Sequence, residues 1–126
     1  MPTEAPPILI VEDNQVNAMI LSSMLRKCGY EPAVATGGRQ GIEMSASLRP
    51  RLVLMDLQMP LFDGFMTAAE IRRCATGAPP VMVAVTANAA GDVRRACRDA
   101  GFSDVLAKPV IFSELKEVLA RHLREP

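Results

Sequence analysis

Five polar residues each follow a short, branched apolar run, and their types together could do chemistry on a phosphoryl group. Glu12 and Asp13 come after residues 8–11, Asp56 after 52–55, Thr86 after 81–85, and Lys108 after the weaker run 105–107. If these ends meet, three carboxylates share one edge, and such charges raise one another's pKa unless cations intervene. A hard divalent ion together with Lys108 answers that repulsion. Mg2+ suits the arrangement, because it takes a few carboxylate oxygens and keeps waters that a phosphoryl oxygen can replace. With the charge neutralised, one carboxylate can attack phosphorus and form an aspartyl phosphate. Asp56 is the candidate nucleophile because it is central. Lys108 would pair with the phosphoryl group, Thr86 would donate to one of its oxygens, and Glu12 with Asp13 would hold the ion.

These residues meet only if the intervening elements bring them to one edge. The four runs, with a shorter fifth at 33–35, are rich in Val and Ile and do not alternate with polar residues, as expected of strands covered on both faces. Between them lie segments of helical spacing. Val16, Met19, Ile20, Met24 and Cys28 predict one buried stripe, and Leu115, Val118, Leu119, His122 and Leu123 another. Gly29, Gly77 with Pro79 and Pro80, and Gly101 punctuate the helix ends, and Pro50 stops a helix over 38–48. The order is strand then helix, five times. Crossover handedness then predicts an α/β fold, a doubly wound five-stranded parallel sheet with helices on both faces. In the flavodoxin-like order 2-1-3-4-5, strands one and three are neighbours at about 4.8 Å, and ligands sit beyond the carboxyl ends of the strands.

A length of 126 residues, 49% of them apolar and 22% charged, fits one ordinary domain able to bury its own core. Residues 1–6 are expected to be a flexible leader and 7–124 the domain. Fourteen basic against fourteen acidic residues leave no surplus to neutralise nucleic-acid phosphates, so direct nucleic-acid binding is disfavoured. No apolar run approaches the roughly 18 residues of a membrane span. Cys28, Cys74 and Cys97 match neither a disulfide framework nor paired zinc ligands, which points to a reducing cytoplasm. A single histidine, His122, sets aside multi-imidazole metal sites and Ser-His-Asp hydrolysis.

Blander roles compete for several of these residues. Asn14 reads as a helix cap, and Met59-Pro60 and Asp63-Gly64 read as turn dipeptides. His122 reads as packing or as a favourable charge at a helix C-terminus. Arg94, Arg95 and Arg98 read as a solvated face, and Met19, Met24, Met55 and Met82 as core filler. A lone Asp, Thr or Lys at a strand end is most often structural; their coincidence at four strand ends is what favours chemistry.

The ordered motifs Ile8-Leu9-Ile10-Val11-Glu12-Asp13-Asn14, Leu54-Met55-Asp56-Leu57-Gln58-Met59-Pro60-Leu61-Phe62-Asp63-Gly64, Val85-Thr86-Ala87-Asn88-Ala89 and Lys108-Pro109 resemble the receiver domain of two-component response regulators, nearly end to end. The resemblance implies that Asp56 takes a phosphoryl group from a phosphohistidine on a histidine kinase or a histidine phosphotransfer protein. It implies Mg2+ held by Asp13, Asp56 and the backbone carbonyl of Gln58, with Glu12 acting largely through water. Thr86 matches the family's switch hydroxyl, Lys108 its phosphate-pairing lysine and Ala87 its access position. Gln58 and Asn88 match positions that tune the phosphoryl lifetime, and the Lys108-Pro109 bond is often cis. Asn14, Asn17 and the 86–89 segment are similar to receivers of hybrid sensor kinases. Where the family usually has Tyr or Phe, this chain has Val105, so signalling to the face made by helix 4, strand 5 and helix 5 needs another packing route. A homodimer through that face is a further expectation.

The leading expectation is therefore a phosphoacceptor receiver that catalyses its own phosphorylation and slow hydrolysis, as a single-domain regulator or as the excised receiver of a hybrid kinase. The competing readings are a receiver-like scaffold that binds partners regardless of phosphorylation, and a metal-dependent phosphatase with Asp56 as nucleophile. The phosphatase lacks a second general acid placed after Asp56.

Overall fold

The computed structural model describes residues 7–59 and 63–123. Residues 1–6, where a leader is expected, the segment Pro60, Leu61 and Phe62 within the second motif, and residues 124–126 lie outside the described residues. The elements alternate as β1 (Ile8–Val11), α1 (Gln15–Lys27), β2 (Ala33–Ala35), α2 (Gly38–Leu48), β3 (Leu52–Asp56), α3 (Gly64–Cys74), β4 (Val81–Thr86), α4 (Gly91–Asp99), β5 (Asp104–Ala107) and α5 (Phe112–His122). The strands form one parallel sheet in the order β2-β1-β3-β4-β5, as the chain order predicts.

The two-residue period of a strand sends alternate side chains to opposite faces. Ile8, Ile10, Leu52, Leu54, Val83 and Val85 pack on one face with Leu21 and Leu25 of α1 and Leu115, Val118 and Leu119 of α5. Leu9, Val11, Val53, Met55, Met82 and Ala84 pack on the other with Ala68 and Ile71 of α3, Cys97 of α4 and Phe102. Both faces are dry, which is why the strand segments read as unbroken apolar runs. Local chemistry sets the helix ends. Asn14 caps α1 by accepting from the Asn17 N–H at 2.9 Å, as expected. Arg49 ends α2 in the left-handed region at φ 53°, directly before Pro50.

The first helix departs from expectation in its phase. Its buried residues are Ala18, Leu21, Ser22 and Leu25, while Val16, Met19 and Ile20 are 63%, 65% and 49% exposed. Met24 and Cys28 sit half-buried at the margin of the core. Both stripes satisfy the helical period, and period alone does not say which one faces inward. The smaller Ala18 and Ser22 lie against the sheet, and the larger side chains are left outside. Met19 is therefore not core filler, whereas Met55 and Met82 are fully enclosed.

The two stripes make opposite predictions for stability. Leu25→Ala should lower unfolding free energy by about 2–5 kcal/mol, the range for a buried leucine truncation. Met19→Ser should stay within about 0.5 kcal/mol of the parent, as surface substitutions do. Urea midpoints of the two variants check this.

Candidate functional site

The register of the sheet brings the polar strand ends together. Val11 of β1 pairs with Met55 of β3, so the next residues, Glu12 and Asp56, emerge side by side. Asp56 pairs with Val85 of β4, and Thr86 pairs with Ala107 of β5. The Lys108 N–H donates to the Thr86 carbonyl at 2.8 Å, which anchors the lysine at the same edge. One carboxylate oxygen from each of Glu12, Asp13 and Asp56 lies within 4.8 Å of the others. Lys108 Nζ sits 3.2 Å from Asp56 Oδ1 and 3.4 Å from Glu12 Oε1. All three acids and the amine expected to meet therefore do so.

Glu12 and Asp56 are buried and Asp13 is exposed, so the cluster opens to solvent on one side. Backbone donors orient the two buried acids: the Gln58 N–H donates to Asp56 Oδ1 and the Asn14 N–H to Glu12 Oε2, both at 3.1 Å. Thr86 is buried at the edge, but its hydroxyl is bonded to the following loop. It accepts from the Asn88 N–H at 3.1 Å and donates to the Asn88 carbonyl at 3.3 Å. The small Ala87 is exposed. The Lys108-Pro109 bond is cis.

Burial, and after it the neighbouring Asp56 carboxylate, raises the Glu12 pKa to about 7, against the Asn14 N–H and the Lys108 charge, which act in the opposite direction. Burial also opposes charge on Lys108, but Asp56 and Glu12 outweigh it and hold the ammonium above its ordinary pKa. One lysine does not satisfy the cluster. Glu12 Oε1 is buried and has no hydrogen-bond partner among the described residues, and its ion pair with Lys108 is long. An orphaned carboxylate oxygen beside two further carboxylates fits a hard cation with oxygen ligands.

Two features were not visible in the sequence. His122 lies away from the acids, with Nε2 3.1 Å from Asp104 Oδ2, and Arg121 pairs with the same carboxylate. Asp104 opens β5 while Lys108 follows its end, so this cluster sits at the opposite edge of the sheet. Packing was expected for His122, but its partner was not, because the contact joins a strand start to a distant helix end. Asp63-Gly64 is not a free turn either: Asp63 caps α3, accepting from the Met66 N–H at 2.8 Å, and Gly64 is the first helical residue. The steps of three and four from Gly64 through Thr67 and Ala68 to Ile71 carry that helical signal.

The Glu12 shift has a defined consequence in the metal-free protein. An unfolded glutamate ionises near 4.5 and the folded one near 7, so across that window the native state holds a proton the unfolded chain has lost. Stability should therefore fall as pH rises from about 4.5 to about 7 and level off above it. Glu12→Gln should flatten this slope; thermal melts between about pH 5 and pH 8 check it, and identical slopes in parent and variant would refute it.

The family model described as the response regulator receiver domain matches residues 8–120. The peroxide stress-activated histidine kinase mak1 of Schizosaccharomyces pombe is 36% identical over 119 residues, covering 90% of this chain and 7% of the kinase. The chain thus spans only a small part of such relatives. The receiver domain of the sensor histidine kinase PA1611 from Pseudomonas aeruginosa PAO1, solved with a magnesium ion in its active site cleft, superposes with a TM-score of 0.85 at 36% identity, covering 96% of this chain and 99% of that one. The Saccharomyces cerevisiae Ssk1 receiver, crystallised with the histidine phosphotransfer protein Ypd1, gives 0.84 at 30% identity over 95% of this chain and 91% of that one. With the sheet order, the strand-end acids and these likenesses in agreement, the chain belongs to the response regulator receiver domains of two-component phosphorelays.

Proposed function

We propose that Asp56 is the phosphoryl acceptor of this receiver and that the donor is a phosphohistidine on a histidine kinase or a histidine phosphotransfer protein. The observation that carries this is the placement of the Lys108 amine on a buried Asp56 carboxylate inside a three-acid cluster. A carboxylate oxygen of Asp56 would form the new bond to phosphorus while the phosphorus–nitrogen bond breaks and its electron pair returns to the imidazole. Mg2+ would be held by Asp13, Asp56 and the Gln58 carbonyl, with Glu12 through water, and would supply charge neutralisation at the phosphoryl oxygens. Lys108 exchanges a carboxylate partner for a phosphoryl oxygen. Slow hydrolysis of the aspartyl phosphate would reset the switch.

The donor surface we assign lies on α1. Val16, Met19 and Ile20 are exposed there, Ile111 is exposed nearby in sequence to Lys108, and a cavity of about 90 Å³ lined by Asn17, Ile20, Leu21, Pro109 and Val110 opens beside Glu12 and Lys108. An apolar patch at the mouth of a charged site suits a protein partner. The likeness to the Ssk1 receiver, which was crystallised with a phosphotransfer protein, supports the same partner class. The free thiols Cys28, Cys74 and Cys97 are compatible with cytoplasmic residence, and among the described residues no helix is long and apolar enough to cross a membrane.

The output route replaces the missing aromatic with α4. For its hydroxyl to reach a phosphoryl oxygen, Thr86 must release Asn88, whose Oδ1 accepts from the Ala90 N–H at 3.2 Å, immediately before α4. Only Cys97 of α4 is buried. Its far end is held by Arg72, which donates to the Ala100 carbonyl at 3.0 Å, and by Phe102, whose ring meets Phe65 edge-on at 5.9 Å. Movement of Thr86 would thus shift the start of α4 while its end stays fixed, and Val105 need not turn. A two-fold homodimer through the face made by α4, β5 and α5 belongs to the same reading.

Intact mass after incubation with Mg2+ and acetyl phosphate should show one phosphate-sized gain, absent in Asp56→Asn and blocked by chelator. No gain with a competent donor favours the phosphorylation-independent scaffold, and rapid turnover of many donor molecules favours a phosphatase. In the phosphorylated sample, amides from Thr86 to Lys108 should shift, most strongly from 88 to 94, and Asn88→Ala should keep the phosphate while losing the α4 shifts. An unchanged spectrum over these residues in a phosphorylated chain refutes the α4 route, and sedimentation of the same sample reads the dimer.

A further inference from the structure

Gly64 occupies the point where α3 touches the backbone that carries the candidate nucleophile. A Cβ at this position would lie 2.6 Å from the Asp56 carbonyl oxygen, 2.7 Å from Leu57 Cα and 3.0 Å from Leu57 Cδ2. The first two are backbone atoms, which cannot rotate aside. The Gly64 N–H also donates to the Leu57 carbonyl at 3.1 Å, so the helix is bonded to the peptide it rests on. From the other side, the Leu57 N–H donates to the Val85 carbonyl of β4 at 3.2 Å. The segment from Asp56 to Gln58 is thus clamped between β4 and the first turn of α3. Its Gln58 N–H in turn orients the Asp56 carboxylate.

We infer that Gly64 is a positioning residue for the phosphoryl acceptor: by lacking a side chain it lets α3 press the end of β3 to the depth at which Asp56 meets Lys108 and the acids of the β1 end. This rests on the reading of Asp56 as acceptor. Backbone conformation does not explain the glycine, because its φ lies outside the left-handed region that Gly29 and Gly101 occupy. Close approach does. Gly91, the first residue of α4, provides the internal comparison, since a Cβ there would meet nothing within 4 Å. Replacing a helical glycine by alanine ordinarily favours the helix. Gly91→Ala should follow that rule, whereas Gly64→Ala must push α3 and β3 apart.

The experiment compares the parent, Gly64→Ala and Gly91→Ala at low temperature in sucrose, which favours the folded state. Three quantities are read: the Gln58 amide shift without metal, Mg2+ affinity by calorimetry, and the rate of labelling by acetyl phosphate. Gly64→Ala should stay folded by far-UV circular dichroism, move the Gln58 amide, bind Mg2+ at least tenfold more weakly and label at least tenfold more slowly at saturating Mg2+. Gly91→Ala should match the parent in all three. Parental values in Gly64→Ala would overturn the inference, and so would failure of that variant to fold under these conditions, which would make Gly64 a folding residue. If the parent binds Mg2+ but takes no phosphate, the acceptor reading fails while the Gln58 amide and the Mg2+ titration still decide the role of Gly64.

Discussion

Like charges gathered where little water can reach them are the constraint on which this structure turns. Glu12 and Asp56 are both buried, and they approach each other and Asp13 closely enough to share one ion. At the effective dielectric of a protein, repulsion between such groups is roughly fourfold stronger than in bulk water. Lys108 relieves part of it, and burial first, with the Asp56 carboxylate after it, still holds the Glu12 pKa well above its ordinary value. A group that arrives with positive charge, or a proton on Glu12, relieves the rest. The cluster is therefore poised to bind, because in its free form it holds charge without enough partners.

The sheet holds those charges in place. Parallel register fixes which residue of β1 stands beside which residue of β3, and Glu12 and Asp56 follow directly on the buried pair Val11–Met55. The chain cannot separate the carboxylates without breaking pairs whose side chains are enclosed on both faces. Lys108 is tied in the same way through its N–H to Thr86. Burial of the strands thus supports an arrangement that electrostatics alone would disperse.

The sheet order, the strand segments and the meeting of three acids with one lysine could all be read from the sequence, because each depends on local pattern and on the handedness of crossovers. What could not be read depended on phase and on distance. The spacing of Val16, Met19 and Ile20 matches a buried stripe as well as that of Ala18, Leu21, Ser22 and Leu25, and only packing against the sheet separates the two. Asp63-Gly64 looks like a turn because a dipeptide shows nothing of the backbone that Gly64 approaches. The pairing of Asp104 with Arg121 and His122 joins residues far apart in sequence through a contact no motif records. The bonding of the Thr86 hydroxyl to the Asn88 backbone was not legible either, because it depends on the path of the loop that follows β4.

The outward side of α1 contributes nothing to either core, and this separates two kinds of selection. Val16, Met19 and Ile20 can drift through many residue types without unfolding the chain. On the proposed reading of α1 as the donor surface, a daughter copy after gene duplication could acquire a different conversation partner through a few changes at these three positions, while inheriting its chemistry intact. Insulation between sister pathways would then be an evolutionary property of one helix surface, open to rapid divergence because the fold does not constrain it.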